Sequence, residues 1–199
     1  HDKTLQLIGR RHSVRDFYNA YELVRKSQIP VVNVDLIVGL PQETEQEIAY
    51  SLEQAVKLAP ENLTVHTLTL KRSAPLFQKQ EQAVLTTQAA ETMVQRAAEM
   101  AAAIGLEPYY LYRQHYMLGH LANIGYAKPG TESIYNIQMM EERHPVIGVG
   151  PASASKVPLP DGHHLHKLNM PKNVAVYGAR LQELAERRRD LFNIEGTDL

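Results

Sequence analysis

The chain contains no cysteine among its 199 residues. That absence excludes disulfides, a thiolate nucleophile, zinc held by cysteines, and an iron–sulfur cluster bound by the chain's own thiolates. No apolar run approaches the length needed to cross a bilayer, so no membrane span is expected. No long run of one charge sign occurs and the formal net charge is -1. Nucleic acid and anionic membrane surfaces are therefore not the expected partners. Arg187-Arg188-Arg189 reads as the solvated end of a helix, where cations complement the dipole. Internal repeats, low-complexity tracts, a nucleophile elbow and a phosphate loop are also missing. Gly148-Val149-Gly150 is too short for a dinucleotide fingerprint. The opening residues His1-Asp2-Lys3-Thr4 have no signal-peptide pattern, and a cytoplasmic location is the expectation.

What is present is an alternation of helical and strand patterns, with 44% hydrophobic residues to form a core. Ser13 with Asp16 has the form of a capping box, and Val14, Phe17, Tyr21 and Val24 follow at helical spacing, which predicts a helix over 14–27. Val31 to Val38 is a β-branched run closed by Gly39-Leu40-Pro41, the pattern of a buried parallel strand. Thr44 and Glu47 form a second capping box, and Ile48, Leu52, Ala55 and Leu58 mark one helical face that stops at Pro60. Leu63 to Leu70 reads as another strand. An Ala-rich helix is expected over 87–104, with Gly105 as its cap. This order is the grammar of an α/β barrel or open parallel sheet.

After Gly105 the pattern changes. Residues 106–112 are aromatic-rich and read as extended, 118–126 as a short helix, and 146–150 as a short strand or glycine-bent loop. Asp161-Gly162 predicts a turn between strands, and 172–192 a final amphipathic helix. The expected organisation is a barrel-like part over 1–105 and an α+β region over 106–199.

Asp35 is the most informative position. It interrupts an apolar strand, sharing a face with Asn33, Val31 and Ile37, while Val32, Val34, Leu36 and Val38 take the face suited to burial under helices. A carboxylate there is costly unless it is paired or bonded to a ligand. It reads either as a site-facing acid near the C-terminal end of a barrel strand or as a structural acid bonded to neighbouring backbone or an arginine. Gly39-Leu40-Pro41 is either a close-approach loop or a plain turn into the Thr44 helix. Arg10, taken alone, is a surface cation ahead of a helix.

Asn33-Val34-Asp35-Leu36-Ile37-Val38-Gly39-Leu40-Pro41 resembles the N-x-D-L-I-x-G-L-P strand and loop of the oxygen-independent coproporphyrinogen III oxidase branch of radical S-adenosylmethionine (SAM) proteins. Asp2 to His12 resembles that branch's N-D-x-x-L-x-x-I-G-R-x-H segment, and the gap between the two segments agrees as well. Gly125-Tyr126-Ala127-Lys128-Pro129-Gly130, Tyr135-Asn136 and Gly148 to Ser153 resemble its later segments more loosely. The resemblance implies an α/β fold: the C-terminal half of a partial radical SAM (β/α) barrel, followed by a small α+β region. It implies SAM and a 4Fe-4S cluster in the intact protein, with the cluster cleaving SAM to a radical that takes hydrogen from the propionates of coproporphyrinogen III. Carried over residue by residue, Arg10 and Asp35 match SAM-contacting positions, Ile37 an apolar position against the adenine, and Thr69 falls near a further adenine-side position. The family's C-x-x-x-C-x-x-C loop and its Gly-rich stretch for the SAM amino group have no counterpart here. His1 stands in place of Asn, Ile134 in place of a frequent Cys, and Tyr135 in place of His. The expectation is therefore a fragment that makes no radical by itself and self-associates through an exposed barrel edge.

Some relatives of this branch bind haem as chaperones, which makes haem an alternative partner to coproporphyrinogen III. Tyr109, Tyr110, Tyr112, Tyr116 and Met117 form an aromatic patch suited either to a flat macrocycle or to ordinary packing. His163, His164 and His166 read as a solvated hairpin tip before they read as a metal site, and His115 and His120 are five apart, which fits no helical pair.

Overall fold

The computed structural model describes residues 1–68, 86–113, 121–162 and 164–193. The chain folds as two units, His1–Ser133 and Ile134–Leu199.

The first unit opens with α1 (Asp2–Leu7). Gly9, at φ +75°, turns the chain back, and the Arg10 amide donates to the Leu5 carbonyl at 2.8 Å. Few residues besides glycine adopt that backbone without strain. Helix α2 (Val14–Lys26) starts at the Ser13–Asp16 capping box, and Asp2 Oδ1 accepts the Val14 amide at 2.7 Å, which ties the two helices together. Strand β1 (Asn33–Val38), helix α3 (Glu45–Lys57) and strand β2 (Asn62–Thr67) form a parallel β-α-β unit. Both residues of the Thr44–Glu47 box bond as expected at the start of α3. Helix α4 (Thr87–Ala103) is capped by Thr86 and ends before Gly105, at φ +77°.

Strands β3 (Glu107–Tyr112) and β4 (Asn123–Ala127) complete one sheet of order β1-β2-β4-β3, in which only β1 and β2 run parallel. The strands beyond Gly105 thus share a sheet with those before it, and the division between units falls after Ser133. The helix expected over 118–126 is corrected: 123–127 is β4, and 114–120 lie outside the described residues. Its alternation explains this, since Tyr126 joins the helix-covered core while Gly125 turns to the opposite face.

One face of this sheet carries the core: Val34, Val38, Leu63, Val65 and Tyr126 pack with Ile48 and Leu52 of α3 and Met93 of α4. Ala90, Ala97 and Ala101 are fully buried, so α4 approaches closely through small side chains. Completely burying a leucine such as Leu52 contributes about 1.5–3 kcal/mol. Glu61 fastens α2 to the sheet, accepting Arg25 Nη1 at 2.7 Å and the Val32 amide at 3.0 Å. Desolvation works to raise the Glu61 pKa, and these hydrogen bonds together with the Arg25 charge outweigh it, leaving the group below its ordinary value.

The second unit contains α5 (Ile134–Glu141), the antiparallel hairpin β5 (Ala154–Pro158) and β6 (Leu165–Asn169), then α6 (Val174–Ala179) and α7 (Leu181–Phe192). Asp161-Gly162 is the hairpin turn, as expected. The single helix expected over 172–192 is two, because Arg180 at φ -113° leaves the helical region between them. The segment 146–150, expected as a short strand or a glycine-bent loop, is a loop with one isolated bridge, Val146 to Lys156, and a Cβ at Gly148 would meet the Ala154 carbonyl oxygen at 2.4 Å. The hairpin and α7 enclose Val157, Leu168, Met170, Leu184 and Leu191.

Candidate functional site

The face of the sheet opposite the core is polar. Register places Asp35 beside Thr64, Thr64 beside Gly125, and Gly125 beside Tyr110, one row across all four strands. The same face carries Asn33 and Ile37 on β1 and His66 on β2, because side chains alternate along each strand.

Asp35 Oδ1 accepts the Asn33 amide nitrogen at 2.6 Å, and Thr64 donates to the Asn33 carbonyl oxygen at 3.0 Å. His66 Nε2 stands 3.7 Å from the same Asp35 oxygen. Together, with His66 first and Asn33 and Thr64 adding to it, these partners hold the carboxyl below its usual range against the opposing effect of desolvation. Asp35 is therefore an ionised acceptor at neutral pH. The acid expected to be buried has a side chain 61% exposed. The reason is its strand: β1 pairs only with β2, and its polar face carries no covering layer among the described residues.

Arg10, Asp35 and Ile37 all line one cavity of about 380 Å³, with Leu5, His12 and Glu43. The reversal at Gly9 brings Arg10 to its rim. At the end of β1, Gly39 at φ +91° and the buried Pro41 turn the chain towards Glu43. Burial pushes the Glu43 carboxyl up, partly offset by its hydrogen bond with Thr4. A second cavity of about 270 Å³ borders Asp35 on the side of Phe17 and Tyr18. Thr69 lies outside the described residues, as do His115, Tyr116, Met117, His120 and His163. His164 bonds Asp161 at 2.7 Å on an exposed turn, and no cluster of three metal-ligating side chains occurs among the described residues. Tyr109 and Tyr110 meet edge to face, 4.8 Å between centroids.

Sequence reasoning passed over His66 and Glu43. A signal existed for His66: it alternates with Thr64 on β2 as Ile37 does with Asp35 on β1. For Glu43 the fold alone supplies the burial.

The donor set suits SAM. A guanidinium matches a carboxylate, Asp35 accepts from an ammonium or a ribose diol, and Ile37 and Leu5 offer apolar surface. It does not suit the cluster, for which this chain has no thiolate.

The fold of the chain matches a solved structure, coproporphyrinogen III oxidase (HemN) from Escherichia coli, a radical SAM enzyme, with a TM-score of 0.65 over 92% of this chain and 41% of that one at 16% identity. The fold is that of part of a radical SAM protein. Among curated proteins, the oxygen-independent coproporphyrinogen-III oxidase-like protein HemZ of Bacillus subtilis is 39% identical over 188 residues, which cover 94% of this chain and 38% of HemZ. The haem chaperone HemW of Escherichia coli is 26% identical over 164 residues, 82% of this chain and 40% of HemW. No family model matches. The chain is a homologue of the oxygen-independent coproporphyrinogen III oxidase-like family and spans less than half the length of these relatives.

Proposed function

We propose that this chain forms the SAM-holding part of a radical SAM oxidoreductase that acts on coproporphyrinogen III. The observation that carries this reading is the convergence of Arg10, Asp35 and Ile37 on a single cavity. Arg10 binds the SAM carboxylate, Asp35 accepts from its ribose hydroxyls, and Ile37 lies along the adenine. Thr69 belongs to the adenine side on the strength of the family resemblance. The cluster thiolates come from residues other than these 199. When bound to a reduced cluster, SAM supplies hydrogen-abstracting radical chemistry, and the whole protein oxidatively decarboxylates coproporphyrinogen III to protoporphyrinogen IX in the cytoplasm. This chain by itself is inactive in that reaction.

Similarity to the haem chaperone HemW favours a second reading, in which the partner is haem. Calorimetric titration with SAM, set beside absorbance titration with haem, separates the two. The first reading expects SAM binding that weakens about tenfold or more in Asp35→Ala and in Arg10→Ala, the loss expected for one charge-assisted hydrogen bond. Equal SAM affinity in parent and both variants contradicts the site. A shifted Soret band without SAM binding favours the second reading.

A further inference from the structure

The cavity shared by Arg10, Asp35 and Ile37 has a second acid in its wall, Glu43, which lies beyond the motif ending at Pro41. The turn after β1 sets its place. The Glu43 amide donates to the Leu40 carbonyl at 3.3 Å, which closes the turn, and Gln42 inside it stands at φ +62°. A left-handed backbone is costly for a residue with a Cβ. Strain of this kind persists where the surrounding structure holds it, and it gathers at ligand sites. Here it carries the chain from the sheet to α3, with Pro41 buried and Glu43 half-buried at the cavity.

Glu43 has no cation of its own. Among the described residues, no lysine, arginine or histidine nitrogen forms an ion pair with its carboxylate. Lys3 and the amino group of His1 act on it only through space, and Lys3 is paired with Glu47. The start of α3 already carries Glu45 and Glu47 in its first turn, so the helix dipole does not require a third acid. A carboxylate taken partly out of water without a counter-charge is costly, and an arriving cation would both offset that cost and favour the charged form.

SAM carries one carboxylate and two positive centres, the sulfonium and the ammonium. The cavity offers one guanidinium, Arg10, and two carboxyls, Asp35 and Glu43, and the other titratable side chains in its wall are the imidazoles of His1 and His12. In SAM the sulfonium lies between the ribose, assigned to Asp35, and the carboxylate, assigned to Arg10. We infer that Glu43 is a specificity-determining residue: its carboxylate faces the sulfonium of SAM and makes the cavity prefer SAM to the neutral thioether S-adenosylhomocysteine. The inference rests on the reading of this cavity as the SAM site.

The experiment measures by calorimetry how the parent and Glu43→Gln bind four ligands. SAM is set against S-adenosylhomocysteine, which lacks only the sulfonium methyl and its charge. S-methylmethionine, a sulfonium amino acid without the nucleoside, is set against methionine. The parent is expected to prefer the sulfonium severalfold in each pair. Glu43→Gln is expected to lose both preferences while S-adenosylhomocysteine binds as before, which also shows that the variant is folded. A SAM preference kept in Glu43→Gln, or absent from the parent, upholds the SAM reading and overturns the inference. An equal loss of SAM and S-adenosylhomocysteine in Glu43→Gln overturns it as well, being the mark of a merely structural acid. S-methylmethionine held through Glu43 in a protein that takes no SAM upholds Glu43 as the sulfonium-facing acid and defeats the SAM reading. A parent that binds none of the four defeats both.

Discussion

The ring of Tyr110 occupies the space that a side chain at Gly125 would need, with only 1.9 Å between an ideal Cβ and Tyr110 Cε1. An added methyl there forces the ring off β4. Gly125→Ala is expected to lower stability by about 1–3 kcal/mol, the usual cost of overpacking. Adding Tyr110→Ala to Gly125→Ala relieves the clash, so the two changes are non-additive in thermal unfolding. A Gly125→Ala protein as stable as the parent contradicts the placement.

The local signals were the readable ones. Ser13 with Asp16 and Thr44 with Glu47 announced two helix starts, because a capping box is written within four residues and both pairs bond accordingly. Helix α1, at six residues, is too short to show periodicity. Strand β4 is hidden in the sequence because the alternation of Gly125 and Tyr126 spans only five residues and takes its meaning from the pairing with β2 and β3. The site was legible at Asp35, where a charge breaks an apolar strand. Its partners were hidden, since the meeting of Asp35 with His66, or of Tyr110 with Gly125, depends on strand order. The exposure of Asp35 was equally hidden, since it follows from what does not cover β1.

Glu47 ties the start of α3 to α1. It pairs with Lys3 and accepts from the Thr44 amide, and these contacts, Lys3 foremost, lower its pKa from the ordinary 4.5 to about 2. A depressed carboxyl stabilises the fold above its unfolded pKa, and that contribution is lost as pH falls through the folded value. In denaturant unfolding, the stability gap between the parent and Glu47→Gln is expected to be constant above about pH 5 and to narrow as pH falls from 4.5 towards 2. A gap independent of pH over that window contradicts the assignment.

Strand β1 bonds to β2 on one side only among the described residues. An unpaired edge is a template for a second strand, and a lysine beside it discourages that pairing. The chain is expected to associate with rising concentration in sedimentation velocity, and Val31→Lys to weaken that association. A chain that stays monomeric at every concentration removes the edge from consideration.

The central claim, that Arg10 and Asp35 hold SAM in one cavity, is tested most directly by adding SAM to the nitrogen-15-labelled chain. The account predicts amide shifts concentrated at Arg10, at Asp35 to Val38 and around Glu43, and their disappearance in Asp35→Ala. Shifts absent from those residues, or unchanged when the Asp35 carboxylate is removed, contradict it.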